Sequence, residues 1–138
     1  YEGWWPAGGL MSTVGDMLHY GQRLIDAYKG RPGASFIKSS TLQEIWTGRT
    51  QGMSNFTAIF GPNNEYGYCW FTANFTNIPA LKHRQFVWHS GGLIGGSFFF
   101  NIYPEEEIVT VVLVNKGYGI PGLDAISMNA VESLSAYL

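Results

Sequence analysis

The sequence predicts an α+β protein, an antiparallel sheet flanked by helices. Three observations carry that expectation. Val14, Met17, Leu18, Gly21, Ile25 and Tyr28 recur at helical spacing and make one apolar face. From Tyr66 onward the pattern changes to short aromatic and β-branched runs separated by turns. Behind them, Leu123, Ile126, Ala130, Leu134, Tyr137 and Leu138 return to helical spacing. The order is helix, helix, strand meander, helix, with no internal repeat and no low-complexity tract.

The first helix is justified at both ends. Pro6, Ala7, Gly8 and Gly9 form a turn, and Ser12 or Thr13 can cap the helix, with Asp16 three residues after Thr13. Lys29 and Gly30 supply a last-turn cation and a C-terminal cap. Arg31 to Lys38 reads as a loop. A short helix is expected from Ser39 or Ser40, burying Leu42, Ile45 and Trp46. Gly48 to Asn64 has no clear period and reads as a long loop, of a length that is often functional. Strands are expected at Tyr66 to Ala73, Gln85 to His89, Gly96 to Tyr103 and Ile108 to Val114, with Asn74 to Arg84 as a connecting loop. The last two strands are apolar throughout, which predicts burial on both faces. Pro104, Glu105, Glu106 and Glu107 read as a charged hairpin turn between them.

Bulk composition narrows the function classes. With 138 residues, 46% hydrophobic and only 13% charged, the chain can build a core and is not a disordered polymer. The length suits one domain or a large piece of one. A net charge of -2 without a basic cluster argues against a nucleic-acid partner. The longest apolar run, Ile108 to Val114, has the length of a strand, so no membrane segment is expected. The single cysteine, Cys69, excludes an internal disulfide framework. The chain opens on Tyr1 with no targeting segment, and is expected to have been cut from something longer that carries any localisation signal.

The stretch Trp88, His89, Ser90, Gly91, Gly92, Leu93, Ile94, Gly95, Gly96, Ser97 concentrates the candidate chemistry. Four glycines fall within six residues, between apolar runs on both sides. Such glycines mark close approach of backbone to another strand or to a ligand. The histidine that opens the run can exchange protons beside bare N–H groups able to hold an oxyanion. A hairpin or bulge with a structural histidine fits the local pattern as well.

Other candidates are weaker. Ser35, Phe36, Ile37 and Lys38 match the Ser-x-x-Lys spacing in which a lysine activates a serine. That motif needs its serine at the start of a buried helix, and this one precedes a helix. His19, His83 and His89 fit no zinc spacing, with or without Cys69, and no metal or cofactor is expected. Ser90 or Ser97 with His89 and Asp124 has the composition of a triad without a spacing that supports one. Glu105 to Glu107 read as a solvated cap on an edge. Asn55-Phe56-Thr57 and Asn74-Phe75-Thr76 match the glycosylation acceptor pattern.

Taken in order, several segments resemble the serine β-lactamase and penicillin-binding-protein-like family, of the class C and mitochondrial β-lactamase-like type. Pro6 to Thr13 leading into Asp16, Met17 and Leu18 is similar to the segment before a helix of that family. Tyr66-Gly67-Tyr68-Cys69-Trp70-Phe71 resembles the strand before its last motif. His89-Ser90-Gly91-Gly92 resembles the motif itself, with His-x-Gly in place of Lys-Thr-Gly. Tyr103-Pro104-Glu105 and Val111 to Asn115 are similar to the hairpin that follows. The resemblance implies the C-terminal part of a β-lactamase/transpeptidase-like fold, with residues 1–138 as the C-terminal part of a single domain. It implies an active site between the sheet and a mostly helical region. The nucleophilic Ser-x-x-Lys and a Tyr-x-Asn motif are then expected before Tyr1.

The resemblance also implies roles. His89 polarises the substrate or assists proton transfer, Ser90 and Gly91 line the same strand edge, and the Gly92 N–H is an oxyanion donor. The implied partners are a small acyl or peptide substrate and the N-terminal part of the same fold. The implied location is extracytoplasmic or mitochondrial. The chain alone is expected to be inactive. Its alternatives are an inactive relative that binds ligands, and an independent module whose Trp4, Trp5, Trp70 and Trp88 stack on sugars.

Overall fold

The computed structural model describes residues 8–34, 36–74, 84–93 and 95–117, together with 122, 126, 129 and 133. Helix α1 is Val14–Tyr28. Its cap is the one the sequence predicts: the Asp16 N–H donates to Thr13 Oγ1 at 3.2 Å, and the Thr13 hydroxyl donates to Asp16 Oδ2 at 2.8 Å. Gly30, in the left-handed region at φ 67, turns the chain out of the helix. The apolar face is buried only from Gly21 onward, through Leu24, Ile25 and Ala27. Val14 and Leu18 are exposed, because only the C-terminal half of α1 lies over the sheet.

Helix α2, Ser39–Ile45, buries Leu42 and, just past its end, Trp46. The Ser39 hydroxyl donates to the Tyr28 carbonyl at 2.7 Å, which ties α2 to the end of α1. The expected loop from Gly48 to Asn64 contains a third helix, α3, Ser54–Phe60. It has no buried residue, hence no apolar period in the sequence. What holds it is ring contact: Phe56 and Phe60 lie 6.1 and 4.9 Å from Phe71.

The expected strand at Tyr66 to Ala73 is instead a hairpin, β1 (Asn64–Tyr66) and β2 (Phe71–Asn74). The Gly67 N–H donates to the Trp70 carbonyl at 2.8 Å, and Cys69 sits at φ 61 in the turn. Strand β3 runs Gln85–Leu93, so the first two glycines of the run are strand rather than turn. Strands β4 (Gly96–Tyr103) and β5 (Ile108–Val114) match the expectation. All neighbours are antiparallel, in the order β1-β2-β3-β4-β5. The two-sided burial expected of β5 is corrected. It is an outer strand, half-buried along most of its length, with no strand on its far side among the described residues.

Cross-strand pairing puts Val87, Ile102 and Val109 on one face of the sheet, with His89, Phe100 and Val111 beside them. Helix α1 covers this face. A Cβ on Gly21 would stand 2.5 Å from Val109 Cγ1, so the glycine lets the helix rest directly on β5. Leu24, Ile25, Leu42, Trp46, Val87, Phe100 and Ile102 form the main core there. Each buried large side chain is worth about 2 kcal/mol against exposure. Ala73, Phe86 and Tyr103 form a second cluster on the opposite face.

The turn 104–107 is where expected, but its carboxylates are not simply solvated. Glu105 takes Lys29 Nζ at 2.7 Å and the Tyr28 hydroxyl at 3.1 Å. Glu107 takes Arg31 at 2.6 Å, and Arg31 also reaches Asp26 at 2.9 Å. The buried carboxylate of Glu106 faces Arg84 at 3.0 Å. The predicted C-terminal helix lies mostly outside the described residues; 126, 129 and 133 are helical.

Candidate functional site

Strand β3 carries the site. Leu93 and Gly96 pair directly across the β3–β4 turn. They form its closing hydrogen-bonded pair, so alternation makes Gly91 with Phe98 and His89 with Phe100 hydrogen-bonded pairs too. Trp88, Ser90 and Gly92 therefore turn their N–H and C=O groups the other way, toward the side of β2. The register of β2 against β3 ends at Phe71 opposite Trp88. Ser90 and Gly92 lie beyond that end, and no strand pairs with them there among the described residues. Among the described residues Ser90 and Gly92 thus have no strand partner on that side; Gly92 is exposed, and the Ser90 carbonyl faces His89 Nδ1.

The glycines permit this. A Cβ on Gly91 would stand 2.4 Å from the Phe98 ring. The ring occupies the space that a side chain at 91 would otherwise take.

His89 is half-buried on the face shared with Phe100. Its Nδ1 lies 2.8 Å from the Ser90 carbonyl oxygen. Its Nε2 lies 3.1 Å from the Tyr66 hydroxyl. The Phe71 ring packs 5.7 Å from the imidazole and stacks on Trp88 at 4.1 Å. Burial pushes the Tyr66 phenol up from its ordinary value, and its electrostatic interaction with Cys69 adds to this. Tyr66 therefore stays a hydroxyl donor through the neutral range.

The expected site residues separate by face. His89 and Gly91 point to the helix-covered face, and Ser90 to the opposite one, across from Phe99. Of the triad composition, Ser97 is buried and donates to the Lys116 carbonyl at 3.0 Å. Asp124 lies outside the described residues, as do Ser35 and His83. Lys38 caps α2, and His19 is exposed on α1. Asn55 and Asn74, the two acceptor asparagines, are exposed. Among the described residues no group of three or more His, Cys, Asp or Glu could hold a metal ion, and no helix is long and apolar enough to cross a membrane.

Tyr66 is the neighbour of His89 that sequence reasoning missed. It reads as one more aromatic in a β-prone run, and only the hairpin at Gly67 brings it back to β3. Trp88, offered above as a sugar platform, has Phe71 on it at 4.1 Å and Phe99 at 5.1 Å, both stacked.

The beta-lactamase family model matches residues 1–134. Curated relatives include the serine beta-lactamase-like protein LACTB, mitochondrial, from three mammals. The human protein is 27% identical over 124 residues, covering 81% of this chain and 21% of its own length. The bovine and mouse proteins are each 28% identical over 114 residues, covering 74% of this chain and 19% and 20% of theirs. The chain thus spans about a fifth of the length of these relatives. The open, glycine-lined edge beside a histidine lies within that match, and the chain belongs to the beta-lactamase family of serine hydrolases.

Proposed function

We propose that this chain supplies the His-x-Gly strand and the oxyanion backbone of a β-lactamase-like serine hydrolase. The observation that supports the reading best is the edge of β3 at Ser90 and Gly92, which no strand pairs among the described residues and whose Ser90 carbonyl takes His89 Nδ1. In this reading the nucleophilic serine and its lysine belong to the N-terminal part of the same fold, outside the chain. The substrate is a small ester, amide or peptide. A histidine where relatives of the Lys-Thr-Gly type carry lysine puts esters and peptides on an equal footing with β-lactams.

The serine Oγ attacks the substrate carbonyl carbon, and the carbonyl electron pair moves onto its oxygen. The Gly92 N–H donates to that oxyanion, as does the N–H of the serine itself. One such donor is typically worth about 3 kcal/mol in the transition state. Collapse expels the alcohol or amine with a proton, and water then hydrolyses the acyl-serine. His89 assists the proton transfers. Ser90 and Gly92 form the edge along which the substrate lies, while Gly91, expected there from the sequence, turns its N–H and C=O toward Phe98. The mitochondrial location in the relatives' name is carried over as part of the proposal.

The experiment compares the full-length protein with its Gly92→Pro variant on an activated aryl ester. Proline removes the one N–H that the reading needs. The expected result is a fall in kcat of roughly 100-fold with burst acylation slowed in parallel. An unchanged kcat in a folded variant would remove Gly92 from the oxyanion site. Absence of any acylation in the parent would favour a ligand-binding relative without catalysis.

A further inference from the structure

We infer that Tyr66 is a positioning residue for His89: its hydroxyl holds the imidazole in the Nδ1–H tautomer and in one orientation. A carbonyl oxygen can only accept, so the 2.8 Å contact to Ser90 puts the proton on Nδ1. In the neutral ring Nε2 is then the lone-pair nitrogen, and the Tyr66 hydroxyl at 3.1 Å is its donor. With both nitrogens engaged, the ring cannot flip without losing two hydrogen bonds. The inference rests on the hydrolase reading for its catalytic consequence, though not for its geometry.

Tyr66 can act in this way because it is itself fixed from several sides. Its N–H donates to Thr50 Oγ1 at 2.9 Å, and its carbonyl accepts the Arg49 N–H at 2.9 Å. The next residue, Gly67, lies against the C-terminal end of α2: a Cβ there would stand 2.3 Å from the Ile45 carbonyl oxygen. The phenol ring meets Phe71 edge-on at 4.6 Å. The end of α2 therefore carries the β1–β2 hairpin, the hairpin carries Tyr66, and Tyr66 fixes which nitrogen of His89 holds the proton and which holds the lone pair, with the Tyr66 hydroxyl on that lone pair.

The test uses full-length protein labelled with ring-15N histidine, the His89 signals being those lost in His89→Gln. The parent is expected to show a protonated Nδ1 and an unprotonated Nε2. In Tyr66→Phe, which keeps the ring on Phe71, both nitrogens are expected to shift toward the averaged positions of a tautomer mixture. Ester hydrolysis is expected to lose roughly tenfold in kcat, the worth of one ordinary hydrogen bond, with KM changed less than about twofold. A parent that already carries its proton on Nε2 overturns the inference without any variant. So does a folded Tyr66→Phe protein with unchanged nitrogen signals, even if its kcat falls. If the parent hydrolyses nothing, the hydrolase reading fails, and the nitrogen signals alone decide the role of Tyr66.

Discussion

Two hairpins flank the central strands, and they are held by different physics. The β4–β5 turn is tied to the end of α1 by charge: Lys29 to Glu105, and Arg31 to both Glu107 and Asp26. The β1–β2 turn is held by close approach and ring packing. Gly67 lies against the Ile45 carbonyl, Trp70 meets Trp46 at 6.2 Å, and Phe71 stacks on Trp88. The charged hairpin sits far along the sheet from His89, and the packed one delivers Tyr66 to it. Ion pairs near the surface leave room for movement and weaken with salt, whereas a backbone approach over a glycine does not. The hairpin that places a hydroxyl beside His89 is the one held chiefly by packing; charge enters there through the Arg49 guanidinium over the Tyr68 ring at 4.5 Å, among the described residues.

If that contrast is right, breaking the packed hairpin must cost far more than breaking the charged one. Trp46→Ala is expected to have the largest effect, a loss of about 3 to 5 kcal/mol in urea unfolding. Trp46 is 1% exposed and touches Tyr28 and Trp70, and its indole N–H makes no hydrogen bond among the described residues. The loss is therefore one of packing. Gly67→Ala comes next, at about 1 to 3 kcal/mol, because the added methyl meets backbone oxygens of Ile45 and Thr47, which cannot rotate away. It is also expected to lower activity more than its stability loss explains, by moving Tyr66. A Gly67→Ala protein with parental stability and activity would erase the distinction between the hairpins.

The same contrast explains what was legible in the sequence. Helix α1 announced itself through Thr13, Asp16 and the spacing from Val14 to Tyr28, since a capped amphipathic helix is a local object. Strands β4 and β5 were legible to the residue, because Pro104 and three glutamates mark the break between two apolar runs. Helix α3 was not, since its contacts are two rings placed on a strand and leave no period. The break in the run from Tyr66 to Ala73 was also hidden. Its turn uses Tyr68 and Cys69, which are not turn-forming types, and Gly67 is there for contact with the C-terminal end of α2. The role of His89 could be proposed from Gly91 and Gly92 beside it. Its partner Tyr66, 23 positions away, could not, because that meeting depends on the hidden turn.

Acid should act on the charged hairpin first. Hydrogen bonds from Lys29 hold Glu105 below its ordinary 4.5, and those from Arg31 hold Glu107 below the same value. Asp26 is held below 3.8, chiefly by Arg31 and then Gln22. These groups stay ionised in the folded protein at pH values where the unfolded chain already takes up protons. The stability they give is fully present above about pH 5 and drains away as pH falls through the lowered values. Thermal melts are expected to show Tm falling below that pH, with a shallower fall in Glu105→Gln/Glu107→Gln. An equal slope in parent and double variant would place the acid sensitivity elsewhere.

The smallest effect is expected from Lys29→Met. Its ammonium pairs with a carboxylate that is itself 43% exposed, and pairs of that kind are worth at most about 1 kcal/mol. Methionine keeps an unbranched stem and removes the ammonium, with its hydrogen bond to Glu105 and its place 5.9 Å from the Tyr28 ring centroid. The loss should be measurable in low salt and vanish near 1 M NaCl, where the screening length is about 3 Å. The His89 nitrogen signals should not move at any salt concentration, because nothing on the path from α2 through Gly67 to Tyr66 depends on this pair. Were they to move, the charged hairpin would be positioning the site as well, and the two hairpins would have to be treated as one mechanical unit.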